Sequence, residues 1–210
     1  MSAEDRPAGS TALPPFAVLH VCMGNICRSP MAERLLVRAV RERVGDKADA
    51  VLLSGSAGTG GWHAGESMNP PASREVVRRG GEDRDFAARK LLGEHVDIAD
   101  LVLTATAEQV EYVVGLRPDA AGRTFVLGEF GRLLAQVDPV GLPPYAPEPE
   151  AVFARGVALV EAVDAVRGGQ PPQDSDDLDD PWGRGDAYFA RVADEIEATV
   201  RPLTAVLLPG

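Results

Sequence analysis

One run of the sequence invites a chemical reading: Cys22-Met23-Gly24-Asn25-Ile26-Cys27-Arg28-Ser29-Pro30, with a cysteine at its head and an arginine six positions on. A thiol attacks as its thiolate, and a guanidinium is a planar fork matched to phosphate oxygens. If the run is a loop feeding a helix N-terminus, several backbone N–H groups converge on one spot, where the helix dipole also favours an anion. The same field favours the thiolate form of a cysteine at the head of the loop. Gly24 lets the backbone approach a bound group closely. Cys22 would then face the phosphorus of a bound phosphate while Arg28 holds its oxygens.

The flanking segments suit such a loop. Residues 16–21 are a short apolar run that predicts a buried strand. Residues 30–44 predict a helix: Met31, Leu35, Leu36, Ala39, Val40 and Val44 form one apolar stripe, while Glu33, Arg34, Arg38 and Arg41 face outward. Ser29 is the expected capping hydroxyl, with Pro30 at the first helical position. Further on come a strand at 50–53 and a helix at 69–79 ended by Gly80-Gly81. A strand at 101–105, a helix at 108–116 and a strand at 124–127 follow. Strands alternating with helices predict an α/β fold: a four-stranded parallel, doubly wound sheet with helices on both faces and the phosphate-binding loop after the first strand. Ligands of such sheets bind beyond the carboxyl ends of the strands.

Residues 131–172 differ, holding seven of the 17 prolines. A helix is expected at 148–167, between Pro143-Pro144 and Gly168-Gly169. The region 131–175 reads as a proline-rich insertion on a domain of residues 16–210, too short to build its own core. An amphipathic helix over about 186–206, with Phe189, Val192, Ile196 and Val200 on its apolar face, closes the chain. Residues 1–15, polar and proline-containing, read as a disordered N-terminal segment without the apolar stretch of a secretory signal.

Composition narrows the function. The chain has 210 residues, 45% hydrophobic and 25% charged, the balance of one globular domain. Its longest apolar runs are a few residues, too short for a membrane-spanning helix. Two cysteines exclude a disulfide scaffold and a four-cysteine zinc site, and no His/Cys/Asp spacing suggests a metal, so no metal or other cofactor is expected. Neither lysine, Lys47 nor Lys90, follows a Gly-rich loop, which excludes a phosphate-loop NTPase. Net charge is −11; residues 16–130 carry 14 basic and 16 acidic side chains, residues 131–210 carry 6 and 14. That balance argues against nonspecific binding to nucleic acid or an anionic membrane. Most of the run Asp174, Asp176, Asp177, Asp179 and Asp180 reads as solvated loop. The expected location is the cytoplasm.

The thiol–arginine run resembles the signature of the low-molecular-weight protein tyrosine phosphatases: a cysteine, five residues and Arg-Ser, with a Gly-Asn-x-Cys-Arg-Ser-Pro core standing here at Gly24 to Pro30. The likeness continues at Ser56-Ala57-Gly58-Thr59 with Trp62-His63, returns at Asp180-Pro181-Trp182, and covers roughly 16–130 and 176–206. It implies hydrolysis of phosphotyrosine-containing protein substrates through a cysteinyl-phosphate on Cys22, with Arg28 binding phosphate or another oxyanion. Asp180 would protonate the leaving phenolate and later activate water. Asp179 leaves the register open by one, and Pro181 and Trp182 favour Asp180. Met23, Gly24, Ile26, Cys27 and Ser29 fall in the phosphate-binding loop. Asn25 and Ser56 match positions that hold the loop's shape and stabilise the thiolate, although ordinary turn chemistry also uses both residue types. Trp62 and Trp182 either wall the cleft around an aromatic ring or pack in the core. Cys27 either traps an oxidised nucleophile as a reversible disulfide or is a small buried residue.

Of the histidines, His20 reads as packed core, His63 as a cleft residue and His95 as surface. Phe86 stands where the family usually has a histidine near an Ala-Arg pair, and Thr104-Ala105-Thr106 replaces a usual Met or Asp. Both changes bear on substrate more than on reaction. Three alternatives compete. Thioredoxin-coupled arsenate reductases need further cysteines, and none follows Cys27. Protein-arginine phosphatases of the same family carry threonine where Ile26 stands. A noncatalytic phosphate-binding module needs neither a thiolate nor a general acid.

Overall fold

The apolar run after Pro15 forms β1 (Phe16–Cys22) of a computed structural model that describes residues 14–209. Most of the segment expected to be disordered, residues 1–15, lies outside the described residues. β1 pairs in parallel with β2 (Leu52–Gly58) on one side and β3 (Leu101–Thr104) on the other, and β3 pairs in parallel with β4 (Thr124–Val126). The order β2-β1-β3-β4 puts the point where the winding reverses at the carboxyl end of β1, where an open α/β sheet leaves a crevice. Eight α-helices occur among the described residues: α1 (Arg28–Val44), α2 (Ala48–Val51), α3 (Pro70–Arg78), α4 (Gly93–Asp97), α5 (Ala107–Leu116), α6 (Leu127–Leu134), α7 (Pro149–Arg167) and α8 (Asp186–Leu207).

The alternation of side chains along β1 builds two layers. Phe16, Val18 and Cys22 point into the larger core, with Leu35 and Leu36 of α1, Leu159 of α7 and Ile196 of α8. Leu19 and Val21 point the other way, onto Val96 of α4 and Val113 of α5. Helices thus cover both faces of the expected four-stranded parallel sheet. His20, between these positions, is buried, and neither ring nitrogen finds a partner among the described residues. Burial lowers its pKa to about 3, so it packs as a neutral side chain.

Several local readings change. The second strand starts two residues late and runs on to Gly58, because residues 48–51 turn helical. Its latter half, Ser54 to Gly58, is small and polar and lacks an apolar signal. α6 crosses position 131, where a change to proline-rich insertion was expected. Its glycines hide the helix from propensity but allow close packing: a Cβ at Gly128 would collide with the backbone of Asp176, and one at Gly131 with Thr199. α7 joins the larger core through Val152, Leu159 and Val163, so residues 149–167 are built into the body of the domain. Most of the aspartate run is exposed, as expected, and Asp176 is the buried exception. Arg132 grips buried Asp176 through two hydrogen bonds at 2.6 and 3.0 Å, and Asp177 accepts from the Ala107 N–H. His95 is half-buried, its Nδ1 accepting from the Leu92 N–H at the start of α4.

Candidate active site

β1 delivers Cys22 to the crevice and α1 leaves it at Arg28, two residues before the expected helix start. Ser29 therefore is not the helix cap. It lies inside the first turn, and its Oγ sits 3.0 Å from the Cys22 sulfur and accepts from Asn25 Nδ2 at 2.9 Å. Among the described residues no side chain caps the helix and no acid occupies its first turn, an arrangement that suits an anion at the helix start. The Asn25 N–H donates to the Cys22 sulfur at 3.3 Å.

Asn25 is held at φ 55°, a left-handed conformation that asparagine tolerates better than most residues. Its side chain explains why it stays there. Oδ1 accepts from the Arg89 N–H at 2.9 Å, and Nδ2 donates to Ser29 and to Ser56 Oγ at 2.8 Å. Asn25 and Ser56 thus brace the loop from beneath. The segment after β2 is stitched to the loop from the side: Thr59 and Gly60 N–H groups donate to the carbonyls of Cys22 and Met23, each at 2.9 Å. Gly58 is needed there, since a Cβ would stand 2.7 Å from the Met23 carbonyl oxygen.

Arg28 is buried. Its Nη1 donates to the Leu178 carbonyl at 3.1 Å and its Nη2 to Asp180 Oδ2 at 2.9 Å, while buried Nε has no partner among the described residues. The loop that brings Asp180 is tied to the end of β3 by the Leu178 N–H, which donates to the Ala105 carbonyl at 2.8 Å. Asp180 Oδ1 also accepts from the Trp182 N–H at 3.1 Å. Asp179 turns away to Arg191, 2.6 Å distant. Of the two aspartates, Asp180 lines the pocket and Asp179 lies outside it.

Cys22, Arg28 and Asp180 line one pocket of about 200 Å³, together with Met23, Gly24, Ile26 and Cys27 of the loop. Trp62 and Trp182 form its mouth and are 65% and 64% exposed, which removes the core-packing reading of both. His63 lies over Gly24 in the same wall, its Nδ1 2.8 Å from Glu66 Oε2. Both cysteines are free and buried. Burial above all, then the neighbouring Cys22 and Asp180, pushes the Cys27 thiol up to about 12, against the opposing Arg28, so Cys27 stays protonated beside the pocket. No cluster suited to a metal ion occurs among the described residues.

Two features lay beyond sequence reasoning. The Arg28–Asp180 pair joins positions 152 residues apart, with no local signal. Glu33, expected outward, instead turns in toward β2 and accepts from the Ser56 hydroxyl at 2.5 Å. Burial raises its pKa, with Ser56, Arg34 and Arg89 opposing. Phe86, in place of the family histidine, lies under the guanidinium of Arg34, 5.7 Å from its ring centre. Chemically, the arrangement places a sulfur, backbone N–H groups at a helix start, a guanidinium with one unpartnered nitrogen and a carboxyl around one small cavity.

The class of protein is thereby an α/β protein with a doubly wound parallel sheet and a cysteine-headed loop at its winding reversal. The model of the family described as low molecular weight phosphotyrosine protein phosphatase matches residues 17–164, and the chain belongs to that family. It is 39% identical over 99 residues to the low molecular weight protein-tyrosine-phosphatase YfkJ of Bacillus subtilis, a match covering 45% of this chain and 59% of that protein. The match to a low molecular weight protein-tyrosine-phosphatase of Streptomyces coelicolor is 38% identical over 125 residues, 59% of this chain and 70% of the other. Among solved structures, the YwlE arginine phosphatase from Geobacillus stearothermophilus superposes with a TM-score of 0.60 at 24% identity, covering 90% of each chain. At that identity the likeness concerns the fold.

Proposed function

We propose that the protein hydrolyses aryl phosphate monoesters, phosphotyrosine in protein substrates foremost, through a cysteinyl-phosphate intermediate in the cytoplasm. Residues 16–210 form its phosphatase domain, with α6 and α7 part of its core. The observation that carries the reading is Arg28: a buried guanidinium with a free Nε, lining a pocket that also holds a cysteine sulfur and a carboxyl. A buried cation with an unpaired donor is costly unless a ligand takes it, and a phosphate oxygen fits. The Cys22 thiolate attacks phosphorus, the S–P bond forms as the O–P bond to the phenolate breaks, and Asp180 gives its proton to the departing oxygen. Asp180, now a carboxylate, takes a proton from water, which attacks phosphorus and releases inorganic phosphate with the thiolate restored. Loop N–H groups and Arg28 stabilise the charge on the transferring oxygens in both steps.

The names of the Bacillus and Streptomyces relatives support the phosphotyrosine assignment. The arginine phosphatase named among the structural neighbours keeps phosphoarginine as the second reading. Ile26 lines the pocket and offers a polar guanidinium no partner, which favours an aromatic ring. The test is hydrolysis of para-nitrophenyl phosphate. Turnover unaffected by a chelator, inhibited by vanadate and abolished in Cys22→Ser is expected. A Cys22→Ser protein that keeps wild-type turnover overturns the mechanism.

A further inference from the structure

We propose that Glu33 is a positioning residue for Cys22, acting through Ser56 and Asn25 to aim hydrogen-bond donors at the sulfur. It rests on Cys22 being the nucleophile of the proposed function. The argument is one of hydrogen-bond direction. A backbone N–H only donates, so the Arg89 N–H fixes which end of the Asn25 amide is oxygen. Nδ2 must then face the other way, and both its hydrogens go to hydroxyl oxygens, one on Ser29 and one on Ser56. Each of those oxygens accepts from Asn25 and must send its own proton elsewhere. Ser56 sends it to Glu33 Oε2 at 2.5 Å, an acceptor-only partner when ionised. Ser29 is left with the Cys22 sulfur at 3.0 Å and, more distantly, the Ala57 carbonyl at 3.5 Å. The carboxylate at the far end of the chain thereby keeps Ser56 an acceptor, Asn25 in its left-handed place and the Ser29 proton on sulfur.

The surroundings of Glu33 suit this task. Its side chain is 13% exposed, Oε1 lies 3.3 Å from Arg34 Nε, and Arg89, which fixes the Asn25 amide, also donates from Nε to the Ser56 carbonyl at 2.7 Å. Arg34 and Arg89 are the cations that bear on Glu33, while Arg28, Asp180 and Cys27 share the pocket with the sulfur. Position alone did not expose this residue, because on the helix it belongs to the arginine-bearing face.

The test reads the sulfur directly: the rate of Cys22 alkylation by iodoacetamide between pH 4 and 8, with the labelled site located by mass spectrometry. Removing a negative charge near a thiol, with nothing else changed, moves the alkylation midpoint down. Loss of positioning moves it up, because the thiolate loses donors. Glu33→Ala is expected to raise the midpoint by about half to one pH unit, the scale of one hydrogen bond. Glu33→Gln, which keeps an acceptor for Ser56 and drops the charge, is expected not to raise it. Ser56→Ala should match Glu33→Ala, and the double variant should add nothing. If Glu33→Ala fails to fold, a raised midpoint in Ser56→Ala beside an unraised one in Glu33→Gln supports the proposal, and any other pair of outcomes overturns it. A midpoint in Glu33→Ala that stays or falls overturns the proposal, as does one in Glu33→Gln that rises, or full additivity with Ser56→Ala. A protein that alkylates as expected but cleaves no phosphate ester sinks the proposed function and leaves this inference standing.

Discussion

Replacing Asp180 by Asn should have two effects of opposite sign. The carboxyl is 2.9 Å from Arg28 and 48% exposed, so under the proposed mechanism it both serves the leaving group and competes with an incoming anion for the guanidinium. Losing the proton donor costs about 10²–10⁴-fold in turnover where the leaving oxygen is strongly basic, as in phenyl phosphate or phosphotyrosine. With a nitrophenolate, which departs without help, the loss should shrink to a small factor. Anion binding should move the other way. A phosphate charge on Arg28 Nε would lie about 4–5 Å from the Asp180 carboxylate, a repulsion of roughly 4 kcal/mol at an effective dielectric of 20. Half-exposure and screening reduce this to about 1 kcal/mol, or roughly fivefold tighter inhibition by inorganic phosphate. The assay is kcat across aryl phosphates of graded leaving-group basicity, together with the phosphate inhibition constant, for wild type, Asp180→Asn and Asp179→Asn. Asp179 holds only exposed Arg191, so its variant should behave as wild type within about twofold. Wild-type turnover of phenyl phosphate by Asp180→Asn, or a collapse in Asp179→Asn, refutes the assignment.

Cys27→Ser should leave basal turnover largely intact but make peroxide inactivation harder to reverse with thiol, because a Cys22 sulfenic acid without a partner thiol proceeds to sulfinic acid; equal recovery in both proteins removes Cys27 from that role. Ile26→Thr should shift kcat/KM toward phosphoarginine relative to phosphotyrosine, since a hydroxyl in the pocket wall gives the guanidinium a partner; an unchanged ratio shows that Ile26 does not set the preference. His20, with its pKa lowered to about 3, binds a proton on unfolding below about pH 6.5, so wild type loses about 1.4 kcal/mol of stability per pH unit as pH falls from there toward 3. His20→Leu lacks that slope, and denaturant titrations at pH 7 and pH 5 should find its advantage growing by about 2 kcal/mol; parallel pH dependence would show that His20 titrates normally.

The cysteine-headed loop was legible in the sequence because strand, loop and helix are contiguous there. A buried apolar strand must end, an amphipathic helix must begin, and the nine residues from Cys22 to Pro30 carry thiol, glycine and arginine at a place where N–H groups converge. The parallel sheet was legible for a similar reason, since the alternation of short apolar runs with helical stripes is local information. Tertiary structure decided what contact alone defines. Ser29 capping propensity yielded to the sulfur and amide beside it. Glu33 turned inward to a hydroxyl 23 positions away, and Asp176 was buried by an arginine 44 positions away. Asp180 was separated from Asp179 only when the loop was tied to β3 and one carboxyl met Arg28 while the other met Arg191. Side-chain type shows what a residue can do, but direction and desolvation are set by neighbours distant in the chain, and these choose among the roles each residue type allows.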